Sequence, residues 1–132
     1  MTIDIKTRDA VRERAKSRCE YCSTPEWVTP FLPFHTDHII ARQHRSDDSL
    51  DNLALACDRC NAYKGPNLSS IDPVTDEVVE LFHPRRQAWG DHFEEIEGVI
   101  KGLTPQGRAT VQLLNMNAKR RVQLRLIART ME

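Results

Sequence analysis

The sequence predicts a small α+β domain, and three observations predict it. All four cysteines fall into two CxxC pairs, two short apolar runs lie between those pairs, and helix caps punctuate the C-terminal third. A chain of 132 residues fits one domain with a modest core, for which a bound metal would be a useful staple. A hydrophobic fraction of 39% with 29% charged residues is that of a soluble globular protein and excludes wholesale disorder. The opening MTIDIKTRDAVRERAK has no signal-peptide character, and no apolar run approaches the roughly 18 residues of a membrane span. The expected location is therefore cytoplasmic, with no membrane partner.

From Thr7, a candidate N-cap, RDAVRERAKSR is rich in helix formers and poor in apolar residues, which predicts a short exposed helix ending near Arg18. Pro25, Pro30 and Pro33 make residues 23–33 a loop with at most an edge strand. FHTDHII and LALAC then read as two short strands that can pair across a long polar loop. A helix should start close to Asp58 and stop by Gly65-Pro66. In SSIDPVTDEVVELF, Asp72-Pro73 allows a second hairpin, and EEIEGVIKG reads as one strand. Thr104 followed by Pro105 caps a helix of about ten residues. Asn117 is a candidate cap for a last helix, AKRRVQLRLIART, whose apolar face would be Val122, Leu126 and Ile127.

Cys19, Cys22, Cys57 and Cys60 account for every cysteine in the chain. In a reducing compartment disulfides are rare, whereas two CxxC knuckles suit a closed tetrahedral site for a structural Zn²⁺. A redox role for the pairs would need a thioredoxin-like βαβ pattern, which is absent. The 34 residues between the pairs exceed a common zinc ribbon, so a sizeable insertion hangs from the metal.

That insertion and the helix after it carry Asp37-His38, Asn52 and Asn61. Histidine, with an unperturbed pKa of about 6.5, is the side chain suited to deprotonate water near neutral pH. A carboxylate and an amide oxygen, Asp37 and Asn61, suit a hard cation with open coordination sites. Adjacent strand residues point to opposite faces, so Asp37 and His38 can serve one site only if the strand is distorted or ends there. Asn61 and Lys64 are three apart on one helix and share a face, which makes Lys64 a candidate phosphate contact.

Together, DHI, DNLALAC and CDRCNAYKG, from Cys19 to Gly65, resemble the HNH endonuclease signature in its His-Asn-Asn form. The steps of 14 residues from His38 to Asn52 and 9 from Asn52 to Asn61 match that family's usual spacing. The resemblance implies a ββα-metal core over residues 19–66 and a mainly helical extension over 67–132 that packs on it within a single domain. It implies His38 as general base, Asn52 as the residue fixing the loop that positions the base, and Asp37 with Asn61 as catalytic metal ligands. Asn61, where the family often has histidine, leaves an all-oxygen site that favours Mg²⁺ or Mn²⁺. The implied activity is hydrolysis of phosphodiester bonds, most readily in double-stranded DNA. The alternative is a zinc-stabilised nucleic-acid-binding module without cleavage.

A net charge of zero hides strong segregation, with four basic and twelve acidic groups in residues 46–100 but seven basic and one acidic in 101–132. A basic tail beside an acidic middle suggests one face for phosphate, with Lys119, Arg120 and Arg121 as contacts and Arg42 and His44 adding to them from the hairpin loop. LFHPRRQAW and GLTPQGRATVQLLNMN are similar to the C-terminal extension of a bacterial group of HNH proteins, a likeness that brings no role with it. His83 and His92 lack a ligand spacing and read as structural or solvated residues, and Arg85 and Arg86 are further candidates for the nucleic-acid backbone.

Overall fold

The computed structural model describes residues 3–132. Helix α1, Ile5–Arg14, begins ahead of the expected start because Asp4, not Thr7, is its cap, accepting from the Thr7 amide at 2.7 Å. It ends at Arg14, short of Arg18, because Lys16 and Ser17 both adopt positive φ and turn the chain into the first cysteine pair. Only Val11 of this helix is buried, against the strand that follows the hairpin loop.

Strand β1, His35–His38, pairs antiparallel with β2, Leu53–Ala56, and the register sets Asp37 opposite Ala54 and His38 opposite Leu53. Every residue of β2 is buried. Helix α2, Asp58–Lys64, follows at once, with the Cys57 sulfur accepting from the Cys60 amide as its cap and Gly65 ending it at positive φ. The strand–strand–helix unit expected between the knuckles is therefore present.

Residues 67–132 add two hairpins and three helices. Strands β3, Ser69–Ile71, and β4, Val78–Glu80, pair antiparallel. The single strand expected over EEIEGVIKG is instead a second hairpin after the short α3, Trp89–His92: β5, Phe93–Ile96, turns at Glu97-Gly98 into β6, Val99–Gly102. Both turn residues have positive φ, as a type I′ two-residue turn requires. Helix α4, Pro105–Leu113, carries the expected Thr104 cap, and α5 spans Lys119–Thr130. Gly107 allows α4 to lie directly on the chain at His92, where any Cβ would collide with a backbone oxygen. Phe82, Phe93, Ile100, Leu114 and Met116 share one apolar cluster with Leu53 and Leu55 of the hairpin.

Helix α5 buries the opposite of what its apolar pattern suggested. Leu126 and Ile127 are 40% and 47% exposed, while the inward stripe is Arg121, Arg125 and Ala128. The arginines point inward because backbone carbonyls and cysteine sulfurs there are acceptors that need donors. Asn117 does not cap the helix, since its side chain brackets both the N–H and the C=O of Ile100 in β6.

Asp72 is wholly buried at the β3–β4 turn, where it accepts from the Val74 amide and the Thr75 hydroxyl and takes a two-pronged bond from Arg108 at 2.7 and 2.9 Å. The Arg108 hydrogen bonds hold its carboxyl well below the usual carboxylate range. A depressed folded-state pKa adds stability above the unfolded value of about 3.9, and that stability is lost as pH falls through the folded value. Asp72→Asn should lower the thermal midpoint at pH 7, and its gap from wild type should shrink as pH falls below about 4. A gap independent of pH would show that the carboxylate charge is not what holds the turn.

Candidate metal centre and active site

The two knuckles meet in the core. The Cys19, Cys22, Cys57 and Cys60 sulfurs lie within 4.8 Å of one another, all buried, and Cys22 and Cys57 are 3.7 Å apart. A tetrahedron with Zn–S bonds of about 2.3 Å has edges of about 3.8 Å, so the sulfurs fit a zinc ion. In each knuckle the amide of the second cysteine points at the sulfur of the first at 3.4 Å.

Zinc-bound knuckles would fix what is threaded through them. Tyr21 stands between Cys19 and Cys22 and is fully buried, and its hydroxyl donates to Asp37 Oδ2 at 2.8 Å. Asn61 follows Cys60 directly and turns its amide to Asp37 Oδ1 at 3.4 Å. No motif in the sequence marks Tyr21, although a residue between two metal ligands has almost no freedom in where it points. Burial pushes the Asp37 carboxyl up, opposed by the Lys64 ammonium and the Tyr21 hydroxyl.

Lys64 differs most from its expected role. It is 2% exposed, with its ammonium 2.9 Å from the Ile39 carbonyl, 3.2 Å from that of His38 and 3.4 Å from Asp37 Oδ2. Two carbonyls and a carboxylate satisfy it, so it faces the site from within and offers nothing to a phosphate outside. Asp37 thus spends Oδ2 on Tyr21 and Lys64 and keeps Oδ1 towards Asn61. Rotating the Asn61 amide would exchange nitrogen for oxygen beside Asp37 Oδ1, a pair of oxygens that could hold a hard cation.

Strand β1 ends at His38, whose side chain does not join Asp37 but meets the hairpin loop, with Nε2 2.8 Å from Asp48 Oδ1. Hydrogen bonds from His38 and Arg42 hold the Asp48 carboxyl below its ordinary range, so it accepts and Nε2 donates. Asp48 was unremarked in the sequence because Ser-Asp-Asp reads as a turn. Asn52, nearly buried, braces the loop at both ends through the Ile40 amide and carbonyl and the Asp47 carbonyl.

The other basic candidates divide sharply. Arg42 is exposed and paired with Asp48, and His44 reaches the Pro66 carbonyl. Arg85 is bound to Glu20, while Arg86 is exposed. Lys119 and Arg120 are exposed without an ion pair among the described residues, but Arg121 is buried on cysteine sulfurs. Arg125 is likewise buried, and Arg108 and Arg129 are half-buried in pairs with Asp72 and Glu95, so four of the seven basic residues of 101–132 are engaged within the protein. His83 accepts from the Arg85 and Arg86 amides, and His92 meets the Thr104 hydroxyl.

Residues 19–67 match the family model for HNH endonuclease. They form an HNH domain. An HNH domain supports a nuclease-type function in general. Over 115 residues the chain is 28% identical to the Septu protein PtuB of Bacillus thuringiensis, a match covering 82% of this chain and 40% of that protein. The chain thus spans about two-fifths of the length of the curated relative it matches. No solved structure matches it. No helix among the described residues is long and apolar enough to cross a membrane.

The purified protein should hold about one zinc per chain, and Cys57→Ser should remove both the metal and cooperative thermal unfolding, because a structural zinc contributes folding free energy directly. Elemental analysis that finds a folded, zinc-free wild-type protein contradicts the assignment.

Proposed function

We propose that this chain is a metal-dependent endonuclease that hydrolyses phosphodiester bonds in DNA, its 132 residues acting as one unit in which residues 67–132 buttress the HNH core. The observation that carries this reading is the meeting of Asp37 and Asn61, one at the end of a strand and one on a helix, beside a histidine held by its own carboxylate. A binding module has no use for that set.

In this reading Asp37 Oδ1 and the Asn61 amide oxygen hold a Mg²⁺ or Mn²⁺ ion, which when bound supplies positive charge for the phosphate and the departing oxygen. Tyr21 and Lys64 fix the Asp37 carboxylate so that one oxygen faces outward. Asp48 keeps the proton of neutral His38 on Nε2, which leaves the lone pair on Nδ1 to take a proton from water. The resulting hydroxide attacks phosphorus in line, the bond to the 3′ oxygen breaks, and that oxygen is protonated from solvent. The products carry 5′-phosphate and 3′-hydroxyl ends. Asn52 holds the loop that brings Asp48 to His38.

Asn61 also borders a polar cleft of about 470 Å³ shared with Arg8, Arg12, His35 and Thr36. Arg12 is committed to Glu26, whereas Arg8 has no ion pair among the described residues and is exposed to the cleft. This cleft gives one strand a path to the site, and Lys119 and Arg120 supply phosphate contacts from α5.

His38→Ala should lower plasmid nicking by about 10²- to 10⁴-fold while zinc content and melting stay as in wild type. Asp37→Asn should instead recover part of its activity at higher Mg²⁺ or Mn²⁺. Nicking by His38→Ala at the wild-type rate across the same metal titration would remove His38 as the base.

Neutralising Lys119 and Arg120 together should weaken DNA binding equally for all sequences and flatten the log–log salt slope by about 2, since each phosphate contact contributes about 0.9. An unchanged slope would place α5 away from the nucleic acid.

A further inference from the structure

Four thiolates around Zn²⁺ carry a net charge of −2, and here all four cysteines are buried. Removing such a charge from water is costly unless an opposite charge lies against it. Among the described residues, one cation touches the sulfurs. Arg121, in the first turn of α5, places Nη2 2.9 Å from Cys60 Sγ and 3.6 Å from Cys57 Sγ. Its Nη1 bonds the Leu114 carbonyl and, at 3.0 Å, the Asn115 carbonyl, which lie at the end of α4. One guanidinium thus joins the second knuckle, the α4–α5 connection and α5.

Arg125, one turn on and fully buried, is oriented by the Gly98 carbonyl at 2.7 Å and by the Met116 carbonyl. Its Nη1 has no hydrogen-bond partner. Burial lowers the pKa of its guanidinium, and the nearby cysteine sulfurs and Glu95 offset that only in part. An apolar residue at 121 would pack without the cost of burying a charge, so a cation there, in contact with two sulfurs, points to an anion beside it. The zinc-bound thiolates are that anion.

We propose that Arg121 is the counter-ion of the four-cysteine zinc centre, a positioning residue that hydrogen-bonds the bound thiolates of Cys60 and Cys57, slows loss of the metal and docks the C-terminal helix on it. The inference rests on the zinc reading of the cysteines and is independent of cleavage. Arginine suits the task where lysine does not, because its fork reaches two sulfurs and two carbonyls at once. A hydrogen bond to a bound thiolate also withdraws electron density from sulfur, which lowers its reactivity and its donation to the metal.

The test uses the full chain loaded with zinc, and again with Co²⁺, whose thiolate charge-transfer band reports donation by sulfur. Arg121→Met should release zinc to a chromogenic chelator about 10- to 100-fold faster than wild type, the usual range for losing a partner of a metal ligand. Its cobalt charge-transfer band should move to lower energy, and Arg121→Lys should fall between the two proteins. Arg129→Met is the control, because Arg129 ties the same helix to Glu95 and Ser23 without touching a sulfur. It should leave the band in place and release zinc at close to the wild-type rate. If Arg121→Met does not fold, the band in Arg121→Lys decides, and a shift supports the proposal. An unmoved band, or release from Arg129→Met as fast as from Arg121→Met, overturns it.

Discussion

The closure of the four cysteines on one point is the constraint from which the rest of this structure follows. It ties residues 19–22 to residues 57–60 and so fixes both ends of the β1–β2 hairpin and the start of α2. Two side chains of the candidate site are direct neighbours of ligands, Tyr21 between two of them and Asn61 after the last, and both meet the Asp37 carboxylate. A small domain cannot hold a buried carboxylate with apolar packing alone. Here the four-cysteine cluster sets the position of a tyrosine hydroxyl and an amide, and a buried lysine supplies the balancing charge.

What the sequence disclosed depended on how local the signal was. The limits of α2 could be read because Gly65-Pro66 stops a helix by its own conformational rules, and the start of α4 because Thr104-Pro105 is a cap by itself. Cysteine spacing revealed the metal cluster for the same reason. Glu97-Gly98 was passed over because a glutamate at positive φ is an unusual turn residue, so one hairpin looked like one strand. Asp4 and Thr7 are both competent caps, and only the geometry chooses between them.

The inward-facing charges are hidden from the sequence for one reason. Lys64, Arg121 and Arg125 carry long, charged side chains that ordinarily sit in water, and nothing adjacent to them in the chain says otherwise. Their partners come from elsewhere: Asp37 and two strand-end carbonyls for Lys64, cysteine sulfurs for Arg121, and the β5–β6 turn for Arg125. Such pairing is a product of tertiary structure and leaves no periodic trace. It also reduces the bare cationic surface of the basic tail, since Asp72, Glu95 and the cysteine sulfurs engage Arg108, Arg129 and Arg121.

Asn52 grips the β1–β2 connection at Ile40 and again at Asp47, so the stretch between them, residues 41–46, hangs outside the braced part of the loop. Its main links back are the bond of His44 to Pro66 and the pair of Arg42 with Asp48, both at the surface. Such a segment behaves as an exchangeable cassette. Its composition or length can drift between lineages, altering what the protein presents beside the site, while the clamp keeps the histidine and its carboxylate in register. Selectivity and chemistry would then evolve on separate clocks within a single hairpin.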